Sequence, residues 1–306
     1  MQAIHIENLS KRYTSGKLAL NKAGLSLGEG EVFGFLGPNG AGKTTTIKLL
    51  GGTLLPTEGK CEVFGLNPFE KPEEIHRISG LLTEHAQMYN PLSGYENLIF
   101  YGRLFDLSAS DSKTRAVELL DLLGLNESKD RKLGAYSTGM RQRLSLARTM
   151  IHRPRLLFLD EPTSGLDPEN ALSVNEIIKE QAKENGTTVF LCTHQLRYAQ
   201  DVCSSFGLID DGTLFATGTL EKLRELVQED VSVMIEASQI PDRIQAERIG
   251  ERTFDVRVKE EEDIAEIVKQ IVSDGGKVYQ VSTKILTLEE IYFALLKKHQ
   301  RGELLL

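Results

Sequence analysis

The sequence predicts an α/β fold: a mostly parallel sheet with an antiparallel β subdomain and an α-helical insert, plus a small C-terminal α+β domain. Three observations predict it. Apolar runs of strand length, bounded by turn residues, recur at residues 31–37, 155–160 and 187–194. Such runs suit strands buried on both faces of a parallel sheet. Helical stripes lie between them. Glycine then divides the chain, with 23 glycines in residues 1–220 and 4 in residues 221–306. The domain boundary is expected near Thr219 and Leu220, giving domains 1–220 and 221–306.

The elements follow in order. Ile4 and Ile6, then Leu25 and Leu27, alternate with polar neighbours, as strands do. The apolar run 32–36 leads into a helical pattern over 45–50. Ala116, Leu119, Leu120 and Leu123 fall at i, i+3, i+4 and i+7, and Gly124 supplies a stop. Met140, Leu144, Ala147 and Ile151 form a second stripe, ended by Pro154. Strands therefore flank a helical insert at about residues 85–152. Beyond the boundary the pattern reads strand (231–237), strand (253–258), helix (261–273), strand (277–283), helix (288–299).

Composition bounds the function. The 306 residues are 40% apolar and 26% charged, which suits a globular chain with a sizeable core and excludes a disordered or fibrous one. The net charge is −8 and the pI is near 5.4. No nucleic-acid partner is expected from that balance. The apolar stretches are far shorter than the ~18 residues of a membrane span, and the opening MQAIHIENLSKRY has no apolar signal region. Cys61, Cys192 and Cys203 form no CxxC pair. They are expected as reduced, partly buried thiols of a cytosolic protein.

Gly37-Pro38-Asn39-Gly40-Ala41-Gly42-Lys43-Thr44 matches G-x-x-x-x-G-K-[ST], between a strand pattern and a helix pattern. This makes the first domain a P-loop NTPase core. The glycines let backbone N–H groups point inward around phosphates, and the helix N-terminus adds partial positive charge. Lys43 neutralises the β- and γ-phosphates, Thr44 offers a hydroxyl to Mg²⁺, and Thr45 ends the binding segment. The four fixed positions recur by chance in roughly 1% of chains this long, and the correct flanks lower that further. Residues 156–161 end an apolar strand with Asp160 and Glu161. Two carboxylates there are costly unless they meet a cation or a substrate. Asp160 fits the Mg²⁺-side carboxylate, and Glu161 fits the group that polarises the attacking water.

Residues 1 to about 220 resemble, in motif order and spacing, the ATP-binding subunit of ABC transporters. Tyr136-Ser137-Thr138-Gly139-Met140, followed by Arg141-Gln142-Arg143, resembles the family signature LSGGQ. Ser137 and Gly139 match; Tyr136, Thr138 and Met140 depart. The resemblance implies that Ser137, Thr138 and Gly139 face the ATP held by a partner subunit; taken alone, Ser137 reads as an ordinary helix cap. Ser164-Gly165-Leu166-Asp167 resembles the family's D-loop at the dimer interface. His194 resembles the switch histidine at the γ-phosphate, and Tyr13 sits where the family keeps an adenine-stacking aromatic. The family's glutamine lies thirteen residues before an Asn that corresponds to Asn97; here that position is Glu84, with Gln87 out of register. Glu84 remains a candidate ligand facing Mg²⁺.

The resemblance implies an ATPase binding ATP and Mg²⁺, peripheral on the inner face of the cell membrane. It pairs head to tail with a second copy or a homologous subunit and drives a separate multi-span permease. Glu84, the altered signature and the C-terminal domain together look most like the export-type branch. Two other readings stand beside this one. A soluble ATPase that remodels ribosome or DNA complexes usually carries tandem cassettes or a coiled-coil insert. A binding-only cassette would fail to release phosphate.

Overall fold

The computed structural model describes residues 2–83, 88–227, 231–259, 262–283 and 285–304. Glu84 and Gln87 lie outside the described residues, as do Glu260 and Glu261. The chain divides into two compact units; one runs to Leu220 and the other spans Glu221–Arg301.

The first unit opens with β1 (Gln2–Arg12) and β2 (Leu18–Gly28), followed by β3 (Val32–Leu36), helix α1 (Lys43–Leu50) and β4 (Glu58–Val63). Strands β2, β1 and β4 form the antiparallel subdomain, in that order. Ile4 and Ile6 are buried on β1, as the alternation expects, and a register shift between Ile6 and Leu9 brings Leu9 inside as well. Next come α2 (Pro72–Ile78), β5 (Ser79–Leu82), α3 (Gly94–Leu104), α4 (Ala109–Leu122) and α5 (Thr138–Thr149). Then follow β6 (Leu156–Asp160), α6 (Pro168–Asn185), β7 (Thr188–Thr193), α7 (Leu196–Val202), β8 (Ser205–Asp210) and β9 (Thr213–Gly218).

The six-stranded sheet has the order β5-β6-β7-β3-β8-β9. All pairs are parallel except β8 with β9. Strands β3, β6 and β7 are buried at every position, as continuous apolar runs require. Phe190 on β7 anchors their core, with ring centroids 5.4 Å from Phe33, 5.3 Å from Phe35 and 6.1 Å from Phe158. The predicted α/β class, the mostly parallel sheet and the antiparallel subdomain are all present.

Register positions the chemistry. Leu36 lies beside Thr193, and Asp160 beside Cys192. The residues that follow β3, β6 and β7 therefore emerge together at one edge, the carboxyl edge where parallel α/β sheets bind ligands. That edge carries Gly37, Glu161 and His194.

The second unit holds most of α8 (Leu220–Glu225), then β10 (Val231–Ala237), β11 (Ala246–Arg248), β12 (Thr253–Val258), α9 (Glu262–Ser273), β13 (Val278–Thr283) and α10 (Leu288–Gln300). Its sheet has the order β11-β12-β10-β13 and is antiparallel throughout. Val233, Ile235, Val256 and Val258 bury one face together with Ile271 of α9.

Candidate active site

The site begins with backbone. Gly42 caps α1 at φ 113°, a conformation that side chains oppose. A Cβ there would lie 2.3 Å from the Ala19 carbonyl oxygen. At Gly37 a Cβ would lie 2.2 Å from the Ile209 carbonyl oxygen, where the loop leaves the sheet against β8. Neither position has room for a side chain, so the loop packs closely against the strands on either side, and such a tight backbone turn is what a phosphate-binding loop needs.

Lys43 is 6% exposed. Its Nζ donates to the carbonyl oxygens of Gly37 at 2.6 Å and Pro38 at 3.1 Å and lies 3.8 Å from Glu161 Oε1. A buried ammonium needs such oxygen partners. Thr44 Oγ1 donates to Asp160 Oδ2 at 2.6 Å, so the two predicted Mg²⁺ groups meet across the sheet edge. Tyr13 Oη is 3.2 Å from Thr45 Oγ1, and Lys11 Nζ lies 5.7 Å from the Tyr13 ring centroid. Tyr13, Lys17, Asn39, Lys43, Thr44 and Asp160 are among the residues that line the resulting cleft.

Glu161 follows β6 with φ 51°, a left-handed conformation that costs a non-glycine residue about 1–3 kcal/mol. Its N–H donates to the Cys192 carbonyl at 2.9 Å. Its carboxylate accepts from Thr193 Oγ1 at 2.8 Å, His194 N at 3.1 Å and His194 Nδ1 at 2.7 Å. These bonds hold a nearly buried carboxylate in one orientation. The His194 side chain is 49% exposed.

Ser137 caps α5, accepting from Met140 N at 3.3 Å. Thr138 is the first residue of that helix, and Gly139 approaches Leu166. None of the three lines the cleft built by Lys43 and Asp160. Asp167 caps α6, accepting from Asn170 N at 3.0 Å, and the bonds from Asn170 hold its carboxyl below the usual carboxylate range. The structure thus brings Tyr13, residues 37–45, Asp160, Glu161 and His194 together. It leaves residues 137–139 outside the cleft lining.

Three participants escaped the sequence reading. Lys17 lines the cleft from the β1–β2 turn, where no motif marks it. Thr193 orients Glu161, and its position at the end of an apolar strand beside a candidate histidine was the available signal. Gln142 donates to the carbonyls of Glu161 and Pro162. It follows the signature segment Tyr136–Met140, whose pattern gives it no role of its own. The thiols are buried rather than partly buried, because Cys61, Cys192 and Cys203 are small apolar fillers of the core.

A glycine cradle, a lysine at its mouth and a strand-end carboxylate pair define a P-loop nucleotide triphosphatase. Known proteins narrow the class. The sequence profile of the ABC transporter family matches residues 20–164. A daunorubicin resistance ATP-binding protein of Streptomyces coeruleorubidus is 35% identical, covering 96% of this chain and 94% of the relative. A bacitracin transport ATP-binding protein of Bacillus licheniformis is 34% identical over 83% of this chain and 80% of its own length. Among solved structures, a dimeric bacterial ABC transporter cassette superposes with a TM-score of 0.66 at 25% identity, over 71% of this chain and 98% of its own. The chain belongs to the ABC transporter family, as an ATP-binding, ATP-hydrolysing subunit.

Proposed function

We propose that this chain is an export motor that closes head to tail with a second copy, or a homologous subunit, on two ATP molecules bound with Mg²⁺. It drives a separate membrane-spanning permease from the inner face of the membrane. The observation that carries this reading is the division of the site. Ser137, Thr138 and Gly139 gather at the N-terminus of α5, outside the cleft lined by Lys43, Thr44 and Asp160. One chain then holds two complementary halves, and a two-fold pair completes both. The cassette superposed above is itself dimeric.

Lys43 binds the β- and γ-phosphates, with the loop N–H groups around them. Thr44 and Asp160 would hold Mg²⁺, because two hard oxygen donors in contact suit such a cation. Mg²⁺ supplies charge neutralisation at the phosphates when bound. Glu161 orients the attacking water and accepts its proton, and His194 reaches the γ-phosphate. Tyr13 packs on the adenine, and Asp167 faces the partner. No helix among the described residues is long and apolar enough to cross a membrane, and in this reading the permease supplies the span. Export is the direction favoured by relatives named for drug resistance and bacitracin transport.

Glu161→Gln keeps the cleft and removes the base. With ATP and Mg²⁺ it is expected to elute as a stable dimer in size-exclusion chromatography. A monomer that carries ATP would overturn the reading.

A further inference from the structure

We propose that Gln142 is a positioning residue for hydrolysis, holding the turn that carries Glu161. The inference rests on Glu161 as the group that activates water. Two sides of Glu161 are fixed from β7: its N–H by the Cys192 carbonyl and its carboxylate by Thr193 and His194. The third side is the chain that leaves it. There Gln142, half-buried on α5, points Nε2 at the carbonyl oxygens of Glu161 at 3.4 Å and Pro162 at 3.1 Å.

That side needs a tie. The backbone of Glu161 is left-handed at φ 51°, and such geometry persists only where its surroundings over-determine it. Pro162 has no N–H with which to join a ladder. Ser164 N closes the turn locally on the Glu161 carbonyl at 3.1 Å, and Gln142 secures it from a different helix. Without Gln142 the peptide after Glu161 keeps its local bond from Ser164 but loses the tie to α5, so the strained turn can relax and shift the carboxylate. A displacement near 1 Å at a reacting group costs on the order of 10²-fold in rate. Gln142 is not among the residues that line the cleft of Lys43, Thr44 and Asp160, so ATP affinity stays where it was.

The contact also ties Glu161 to a particular helix. Ser137 caps the same α5, five residues before Gln142. At 1.5 Å per residue the two stand about 7.5 Å apart along the axis. The helix end proposed to meet the partner's ATP therefore also carries the support for this chain's own base.

The test is steady-state ATP hydrolysis by the full chain with Mg²⁺, beside a nucleotide-binding titration. Gln142→Met preserves volume and removes the donor; Gln142→Glu preserves shape and removes the donor. Both are expected to lower kcat about ten- to a hundredfold and to leave the ATP dissociation constant within twofold. In the Glu161→Gln background, single-turnover phosphate release should fall no further on adding Gln142→Met, because two changes acting through one group are not additive. An unchanged kcat in both Gln142 variants overturns the proposal. So does an equal fold-loss with and without Glu161, which would make the contact a general support of the fold. Full turnover in the single Glu161→Gln variant instead removes the Glu161 reading on which it rests.

Discussion

Glu161 Oε1 accepts two hydrogen bonds from one residue, His194, through Nδ1 at 2.7 Å and the backbone N–H at 3.1 Å. The Nδ1 bond fixes the imidazole and leaves Nε2 as the nitrogen directed outward from the pair. The proposed base and the proposed switch residue are thus one oriented unit, and loss of either disturbs the other. His194→Ala is expected to lower phosphate release about 10²-fold, the scale of a lost charge-stabilising donor. ATP binding, measured by fluorescent-nucleotide titration, should change little. Wild-type turnover in this variant would exclude a role for the imidazole.

Binding rests on other groups. Lys43→Ala removes the buried ammonium that bridges the loop carbonyls, and truncating such a charge costs about 2 kcal/mol or more of binding. Nucleotide affinity should fall at least about thirtyfold. Gly42→Ala should match that loss without touching a charge, because the added Cβ meets the Ala19 carbonyl at 2.3 Å in a left-handed conformation. Retained affinity in Gly42→Ala, read by the same titration, would show that the loop tolerates a side chain it is drawn to exclude.

Much of this site is legible in sequence because its motifs are local. Residues 37–45 combine strand, turn and helix start in nine positions, and Asp160 and Glu161 end an unbroken apolar run. The meeting of Thr44 with Asp160 follows once both strands lie in one parallel sheet. Contacts between distant segments are less visible. Gln142 reaches the Glu161 turn only because α5 packs beside it, and no spacing rule reports that. Lys17 sits in a turn with no pattern. Strand β4 opens with three exposed residues, Glu58, Gly59 and Lys60, and buries only Cys61 and Val63, and β11 has only three residues. Both are too polar or too short for a periodicity argument.

The cysteines give a chemical check on the core. Cys61 is 1% exposed and burial pushes its thiol up to about 12. Burial likewise raises Cys192 and Cys203 above the ordinary thiol range. The thiolate is the reactive form, so all three should resist iodoacetamide at pH 8 in the native protein. Unfolding in guanidinium should expose three labelled sites by mass spectrometry. Rapid native labelling of Cys192 would mean that the strand beside Asp160 opens readily.

His152 gives a pH prediction. It stacks on Phe105 with ring centroids 3.8 Å apart and 5° between planes. Nε2 lies 3.1 Å from the Ser79 carbonyl oxygen, so in the neutral ring Nε2 carries the proton and donates. Burial pulls its pKa from 6.5 down to about 4. The unfolded chain therefore binds this proton at a pH where the folded chain does not. Stability rises with pH wherever that holds. The contribution is complete above about pH 6.5, declines as pH falls toward 4, and is gone below. A shift of this size corresponds to about 3 kcal/mol. His152→Gln keeps a donor for Ser79 and cannot titrate in this range. Between pH 7 and pH 4, urea unfolding of the wild type should lose about 3 kcal/mol more than unfolding of His152→Gln. Parallel losses in the two proteins would show that His152 accepts a proton as easily folded as unfolded, and that the stacked ring is open to water.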